Sequence, residues 1–459
     1  FTRARIIMLS ILLLLLVIFI LMLGCPVAFT LSGVSLIFAL LCSFTNNFDL
    51  SLLYALPSRI FGIITNETLL AIPMFIFMGI MLEKSKIAEN LLESMSSLFQ
   101  KINGGLGISV IIVGALLAAS TGIVGATVVT MGLLCLPTML KQNYDVKVAT
   151  GTILASGTLG QIIPPSIILI LLGDVISSSY QEAQNMLGIF SQESVSVGDL
   201  FAGAIFPGLI LVGFYILYIL FLSTFRKDLI PKKKLQLHLR FKIILLSLIA
   251  PLFLILAVLG SIIMGLATPT EASSVGAIGA IILAGTNRKL NLDILKGVLV
   301  QASKSTRMIF ILLIGATIFS LVFRGLEGDV FVHDILTSLP GGVYSKLFFV
   351  MMIIFFLGFI LDFIEITYVV IPVVAPILLA MGVNPIWLGI LIAINLQTSF
   401  LTPPFGFAIF YLKSVIPKNI KTVDIYRGVI PFIIIQLITI LIIVLIPETT
   451  TWLPNKIFG

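Results

Sequence analysis

Oxygen-bearing side chains gather at four short places in this 459-residue chain, each set in otherwise apolar sequence. Ser120, Thr121 and Thr127 stand with Gly122 and Gly125 in "STGIVGAT", and Ser156 and Thr158 flank Gly157 in "ASGT". Asp362, Glu365 and Thr367 lie in "LDFIEIT", and Asn395, Gln397, Thr398 and Ser399 crowd "NLQTS". Hydroxyl and amide oxygens are ligands for hard cations such as sodium, and glycine lets a backbone carbonyl or N–H approach its ligand closely. The pattern is unsuited to catalysis inside a membrane, which would need a nucleophile beside a base, a metal cluster or an acidic pair at depth. His238 and His333 read as loop residues, no DxxxD, HExxH or GxSxG pattern occurs, and Cys25, Cys42 and Cys135 read as buried small hydrophobes. No cofactor is expected.

Each polar cluster coincides with a break in an apolar helix. The stretch "ASGTLGQIIPPSIILILLGD" starts as a membrane helix, is interrupted at Pro164-Pro165 and resumes at Ile167, and "LQTSFLTPPF" does the same at Pro403-Pro404. A break at membrane depth survives only where protein or a water-filled cavity takes up the freed backbone groups. The other two clusters sit between pairs of apolar arms of about fifteen residues, each arm too short to cross roughly 30 Å of hydrocarbon alone. These read as re-entrant hairpins over about 106–140 and 347–381, followed by broken helices over about 148–175 and 386–415. Hairpin tips combine helix N-termini, which favour anions, with exposed carbonyls, which favour cations. In "GLATPTEAS", Thr268 is placed as an N-cap, with Pro269 and Thr270 in the first turn and Glu271 complementing the dipole; capping and a role at the site both remain open there.

Composition requires a bilayer around these elements. With 59% hydrophobic and 10% charged residues, the chain has too little polar surface to close a soluble globule. The clearest spans are 6–23, 27–44, 199–221, 243–264, 308–323 and 429–446, and the first reads as a retained span rather than a cleaved signal. The opening Phe in place of Met fits either a trimmed start or a preceding fused subunit. The net charge of +7 reads as positive-inside topology rather than nucleic-acid binding, with the run 226–242 as a cytoplasmic linker and 180–199, which lacks Lys and Arg, as an external loop. Arg3 and Arg5 fall outside in this topology, against the rule.

The chain also repeats itself. "PVAFTLSGVSLIFAL" from Pro26 is echoed by "PTEASSVGAIGAIIL" from Pro269, Pro137 by Pro376, and Pro164-Pro165 by Pro403-Pro404, always about 240 residues apart. Residues 1–225 and 243–459 therefore read as two repeats, and keeping the basic loops inside requires an odd number of crossings per repeat, hence inversion. Inverted repeats with paired broken helices point to a secondary transporter's site near the bilayer midplane.

The motifs "STGIVGATVVTMGLLCLPTMLKQNYDVKVATGTILASGTLGQIIPPSIILILLGD", "GLATPTEASSVGAIGA" and "NPIWLGILIAINLQTSFLTPPFGFAIFYLK" resemble the large membrane subunit of the tripartite ATP-independent periplasmic (TRAP) transporters, in order along almost the whole chain. The resemblance implies a multi-pass permease of the bacterial inner membrane, driven by a sodium gradient. Its expected partners are a small membrane subunit, a periplasmic substrate-binding protein and an organic acid. It implies an elevator-type all-α protein in which hairpins and broken helices move against a scaffold that includes 199–221 and 429–446. The alternatives are a sodium-coupled dicarboxylate carrier without a binding protein, a channel and, remotely, an intramembrane enzyme.

Overall fold

The computed structural model describes residues 2–85, 87–122, 124–230 and 241–458, and among these every regular element is a helix. In chain order, α1 (Thr2–Met22), α2 (Val27–Phe44), α3 (Leu56–Ile64), α4 (Glu67–Lys84) and α5 (Ile87–Leu98) lead to a helical hairpin, α6 (Gly105–Thr121) and α7 (Val124–Lys141). Then α8 (Val146–Thr158) and α9 (Ile167–Met186) form the first broken helix, followed by α10 (Val197–Phe225), α11 (Phe241–Ile263) and α12 (Pro269–Thr286). The chain continues through α13 (Leu292–Gly325) and α14 (Gly328–Ser338) to a second hairpin, in which α15 (Val343–Leu357) is followed by α16 (Phe363–Glu365), a π-type turn and α17 (Ile371–Ala380). The second broken helix, α18 (Pro385–Leu401) and α19 (Phe407–Val415), precedes α20 (Thr422–Leu445) and α21 (Glu448–Phe458).

Among the described residues, six helices are long and apolar enough to cross a membrane, or seven if a bent pair counts as one span, which makes this a multi-pass membrane protein. Three of the expected spans lie within α2, α10 and α13, and the one over 429–446 matches α20 to its end at Leu445. The runs expected over 6–23 and 243–264 coincide with α1 and α11, each of which ends one residue earlier, at Met22 and Ile263. The second arms of the hairpins are longer than expected: Val124–Lys141 and Phe363–Ala380 each run 18 residues. Pro137 and Pro376 are accommodated inside α7 and α17 without ending either helix.

The residues pack as two compact units. One comprises Phe1–Leu70, Leu171–Val195 and Lys304–Pro385. Its core joins Leu13 and Val17 of α1, Leu31 and Phe38 of α2, Phe319 and Phe323 of α13, and Val369 and Val373 of the second hairpin. Asp174 on α9 accepts hydrogen bonds from Asn66 Nδ2 at 2.8 Å and from the Tyr368 hydroxyl at 3.1 Å. Arg324 closes α13 by donating from Nη2 to Glu182 Oε2 at 3.0 Å and to the Pro372 carbonyl at 3.1 Å.

The other unit comprises Ala71–Ile170, Ser196–Ser303 and Ile386–Gly459, and α8 lies at its centre. Every residue of α8 from Val148 to Thr158 is buried, against α6, α7 and α20. At Gly151 a Cβ would stand 2.1 Å from the Gly428 carbonyl oxygen, so α8 and α20 touch backbone to backbone. The helices α10 and α20, expected to belong to a separate scaffold, thus fall in the same unit as both Pro-Pro breaks. Gln436 on α20 donates to the Tyr215 hydroxyl on α10 at 2.9 Å, and Trp387 Nε1 on α18 donates to the Ile443 carbonyl at 2.8 Å. These side chains give otherwise apolar helix contacts a fixed register.

Three expectations need correcting. His333 lies within α14 rather than a loop, because the periodic run from Gly328 to Ser338 continues through it. Tyr180 is helical, since α9 runs on to Met186 and the loop begins only there. Cys25 is exposed at the turn before α2, whereas Cys42 and Cys135 are buried as expected. His238 and most of the basic run 226–242 lie outside the described residues, as do the side chains of Arg3 and Arg5.

Candidate functional site

At the first break the chain leaves α8 through a tight turn at Leu159–Gln161, unwinds through Pro164 and Pro165, and re-enters helix at Ile167. The Ser166 hydroxyl donates to the Gln161 carbonyl at 3.1 Å and so pins the unwound segment. Within α8, Ser156 donates to the Ile153 carbonyl and Thr158 to the Ala155 carbonyl, each at 3.0 Å. A hydroxyl whose proton is committed to its own helix keeps lone pairs with which to accept a bond or ligate a cation. Ser156, Thr158 and Gln161 are fully buried.

The first hairpin closes over this break. Gly122 ends α6 with φ +60°, a left-handed conformation that disfavours side chains, and a Cβ there would stand 2.9 Å from Ile167 at the start of α9. Gly157 lets α8 approach α7, for a Cβ there would meet Val128 at 2.6 Å. Thr127 is buried beside these contacts, and Gly125 faces the ring of Tyr411 on α19. The expected tip residues Ser120 and Thr121 end α6, and their side chains lie outside the described residues.

The second break approaches the first. Gln397 Nε2 on α18 donates to Thr158 Oγ1 on α8 at 3.4 Å, across 239 residues of sequence, the same separation as between the two proline pairs. Thr398 and Ser399 back-bond to the Ile394 and Leu396 carbonyls at 2.8 Å, and both are fully buried, with Asn395 nearly so. Beyond them Thr402 donates to the Thr398 carbonyl at 2.7 Å, and the chain unwinds through Pro403 and Pro404 to α19. Both proline pairs are joined by cis peptide bonds. One compact unit therefore brings together Gly122, Gly125, Thr127, Ser156, Gly157, Thr158, Asn395, Gln397, Thr398 and Ser399.

The remaining expected residues serve helix starts. Asp362 caps α16 by accepting from the Phe363 N–H at 2.8 Å, and Glu365 Oε2 accepts from the Asp362 N–H at 3.0 Å. Thr367 donates to the Phe363 carbonyl at 2.7 Å. This reciprocal box satisfies backbone donors that would otherwise be orphaned at the tip, an unusual use for an acid that is only 4% exposed, as Glu365 is. Thr268 and Glu271 form the same box at α12: Glu271 Oε2 accepts from the Thr268 N–H at 2.8 Å, and both residues are exposed. Thr270 accepts from Ser273 and Ser274 through its carbonyl in the next turn.

One polar residue, Gln161, was passed over in the sequence, whereas Gln397 was expected at the site. Gln161 is fully buried, with neither side-chain Nε2 nor Oε1 bonded, and Gln397 keeps an unbonded Oε1. Leaving one such group unsatisfied in the folded state costs about 1–3 kcal/mol. The signal for Gln161 was its position three residues before Pro164, inside an apolar run that otherwise holds only small hydroxylated residues. Among the described residues no group of three or more His, Cys, Asp or Glu could hold a metal ion. The oxygens available at the break are hydroxyl, carboxamide and main-chain, a set suited to sodium rather than to a transition metal.

Comparison with known proteins agrees with this architecture. The family model described as the tripartite ATP-independent periplasmic transporter, DctM component, matches residues 14–449. The C4-dicarboxylate TRAP transporter large permease protein DctM of Vibrio cholerae is 28% identical, covering 98% of each chain. The sialic acid TRAP transporter large permease protein SiaM of the same organism is 27% identical over 95% of this chain and 96% of its own. Among solved structures, the YdaH transporter of Alcanivorax borkumensis superposes with a TM-score of 0.63 at 12% identity, covering 88% of this chain and 89% of that one, a likeness of fold. A match over nearly the whole chain, with relatives that are themselves permeases, makes this a transport protein rather than an enzyme, and the chain belongs to the DctM component family of tripartite ATP-independent periplasmic transporters.

Proposed function

We propose that this chain is the permease subunit through which an organic acid crosses the bacterial inner membrane together with sodium ions. The observation that carries the reading is the meeting of two interrupted helices at Thr158 and Gln397, with the buried hydroxyls of Ser156, Thr398 and Ser399 close by in sequence on the same two helices. Broken helices supply carbonyl and N–H groups that an intact helix cannot, and hydroxyl oxygens complete a cation shell. A contact between residues separated by the same 239 positions as the proline pairs is what a two-fold axis through that point would produce, which supports the inverted-repeat reading. The relatives are named for dicarboxylate and sialic acid transport, and a carboxylate is the group those two substrates share.

The working partners are a small membrane subunit and a periplasmic binding protein, as membership of a tripartite family implies. The motion is elevator-like: the first hairpin and the two Pro-Pro breaks move as one body, and α20 travels with α8 because the two touch through backbone at Gly151 and Gly428. The two hairpins re-enter the membrane rather than crossing it, and no catalytic step is involved.

The test is uptake of a radiolabelled acid panel into proteoliposomes holding the three-part system, under an imposed sodium gradient. Uptake that needs both sodium and the binding protein is expected. Undiminished uptake in sodium-free medium under a proton gradient would overturn the coupling. Full-rate uptake by the chain alone would overturn the partner assignment.

A further inference from the structure

Gln161 has no role in the ion shell described above, yet it stands at the same break. Its side chain is wholly buried and neither polar atom has a partner, whereas Ser156, Thr158, Ser166, Thr398 and Ser399 all place their hydroxyl protons on main-chain carbonyls. Buried polar atoms are almost always bonded, so an amide with both ends open needs an occupant. Thr158 and Gln161 are three residues apart across a tight turn of the kind that stacks such positions on one face, and Thr158 is the residue that Gln397 touches. Thr158 therefore links the two carboxamides, one bonded to it and one a turn away along the chain, and Gln397 contributes another open oxygen.

The valences of the amide restrict what fits. A sodium ion would take Oε1 and leave the N–H donors open. A bare carboxylate would take the N–H donors and leave Oε1 open. A carboxylate carrying a hydroxyl group satisfies both, its oxygen accepting from Nε2 while its hydroxyl donates to Oε1. Resting on the reading of the chain as an organic-acid permease, we infer that Gln161 is a specificity-determining residue that selects hydroxylated acids over their deoxy analogues. A site built to bond a hydroxyl rejects the analogue that lacks it, because the open acceptor stays buried and unpaired.

The experiment uses the chain purified with its small subunit in sodium-containing detergent, so that the binding protein's own selection does not enter. Matched acids differing by one hydroxyl, L-malate with succinate and lactate with propionate, are titrated as thermal stabilisers of wild type and Gln161→Leu. Leucine fills similar space without polar atoms, so the variant is expected to fold. Wild type should respond to the hydroxylated member of at least one pair at roughly tenfold lower concentration, and Gln161→Leu should remove that difference by weakening the hydroxylated acid alone. Equal response to both members in wild type, or equal weakening of both in the variant, as trapped water or a packing role would give, overturns the inference and leaves sodium-dependent acid uptake standing. If no acid stabilises the protein and the three-part system also takes up none, the permease reading fails and the inference with it.

Discussion

The two Pro-Pro breaks share a cis proline pair and a run of buried hydroxyls, but they are finished differently. At the first, Pro164, Pro165 and Ser166 are all buried, the Ser166 hydroxyl closes the loop, and Gly122 of the hairpin tip rests on Ile167. At the second, Pro404 and Phe405 are exposed, and the Pro404 carbonyl is met by the Tyr426 hydroxyl at 3.2 Å. The first break is enclosed within its unit, and the second lies partly at the surface of the same unit. The same local chemistry therefore has different neighbours to satisfy it, and the first break should tolerate change less than the second.

The largest effect is expected at the hairpin contact. Gly122→Val forces a β-branched side chain into φ +60° and into Ile167, each fault costing about 1–3 kcal/mol. Uptake should fall at least tenfold, with reduced thermal stability of the purified protein. Phe405→Ala, which trims a side chain 57% exposed at the second break, should leave stability unchanged. Similar losses at both sites would remove the asymmetry.

Ion coupling should depend on both breaks. Ser156→Ala and Thr398→Ala each delete one buried oxygen and should raise the sodium concentration for half-maximal uptake several-fold, for a loss on the order of 1 kcal/mol. A change at only one position would assign sodium to that break alone, and no change at either would remove these hydroxyls from the shell.

A smaller effect is expected from locking the first break to its own hairpin. A Cβ on Gly160 would lie 3.5 Å from the Ala118 Cβ, within the range of a disulfide. The pair Ala118→Cys and Gly160→Cys should crosslink under mild oxidation and keep at least half of wild-type uptake, since both ends move together. Complete arrest, reversed by reductant, would mean that hairpin and break separate during transport.

Much of this was legible in the sequence because proline pairs, glycine-rich tips and apolar run lengths are local signals. The hairpin at 106–140 and the break after Thr158 needed nothing more, and Thr268 and Glu271 announced their capping box by spacing alone. Packing choices were not legible. Nothing in the sequence placed α20 beside α8, because the contact depends on two glycines, Gly151 and Gly428, far apart in the chain. Nor did it show Gln161 as open, because whether a buried amide is satisfied depends on neighbours that only the fold supplies. The acids of "LDFIEIT" read as a ligand pair, and their hydrogen bonds show a cap, since a carboxylate three residues after another can reach back to the first residue's N–H.

The smallest effect separates the two breaks most finely. Tyr426→Phe removes the hydroxyl that donates to the Pro404 carbonyl, and Ser166→Ala removes the one that donates to the Gln161 carbonyl. The bonds are nearly equal in length, 3.2 and 3.1 Å, so any difference must come from surroundings. At Pro404, water or headgroups can replace the lost donor, and the net change should be within about 0.5 kcal/mol, too little to move half-saturation for the acid by more than about twofold. At Gln161 the carbonyl is buried away from bulk water, and the loss should be larger, up to the cost of an unpaired buried carbonyl, about 1–3 kcal/mol. Thermal unfolding of the two variants side by side reads the difference directly. If Tyr426→Phe proved the more damaging, the second break would be the one that depends on its protein partner, and the order of rigidity drawn from burial would be reversed.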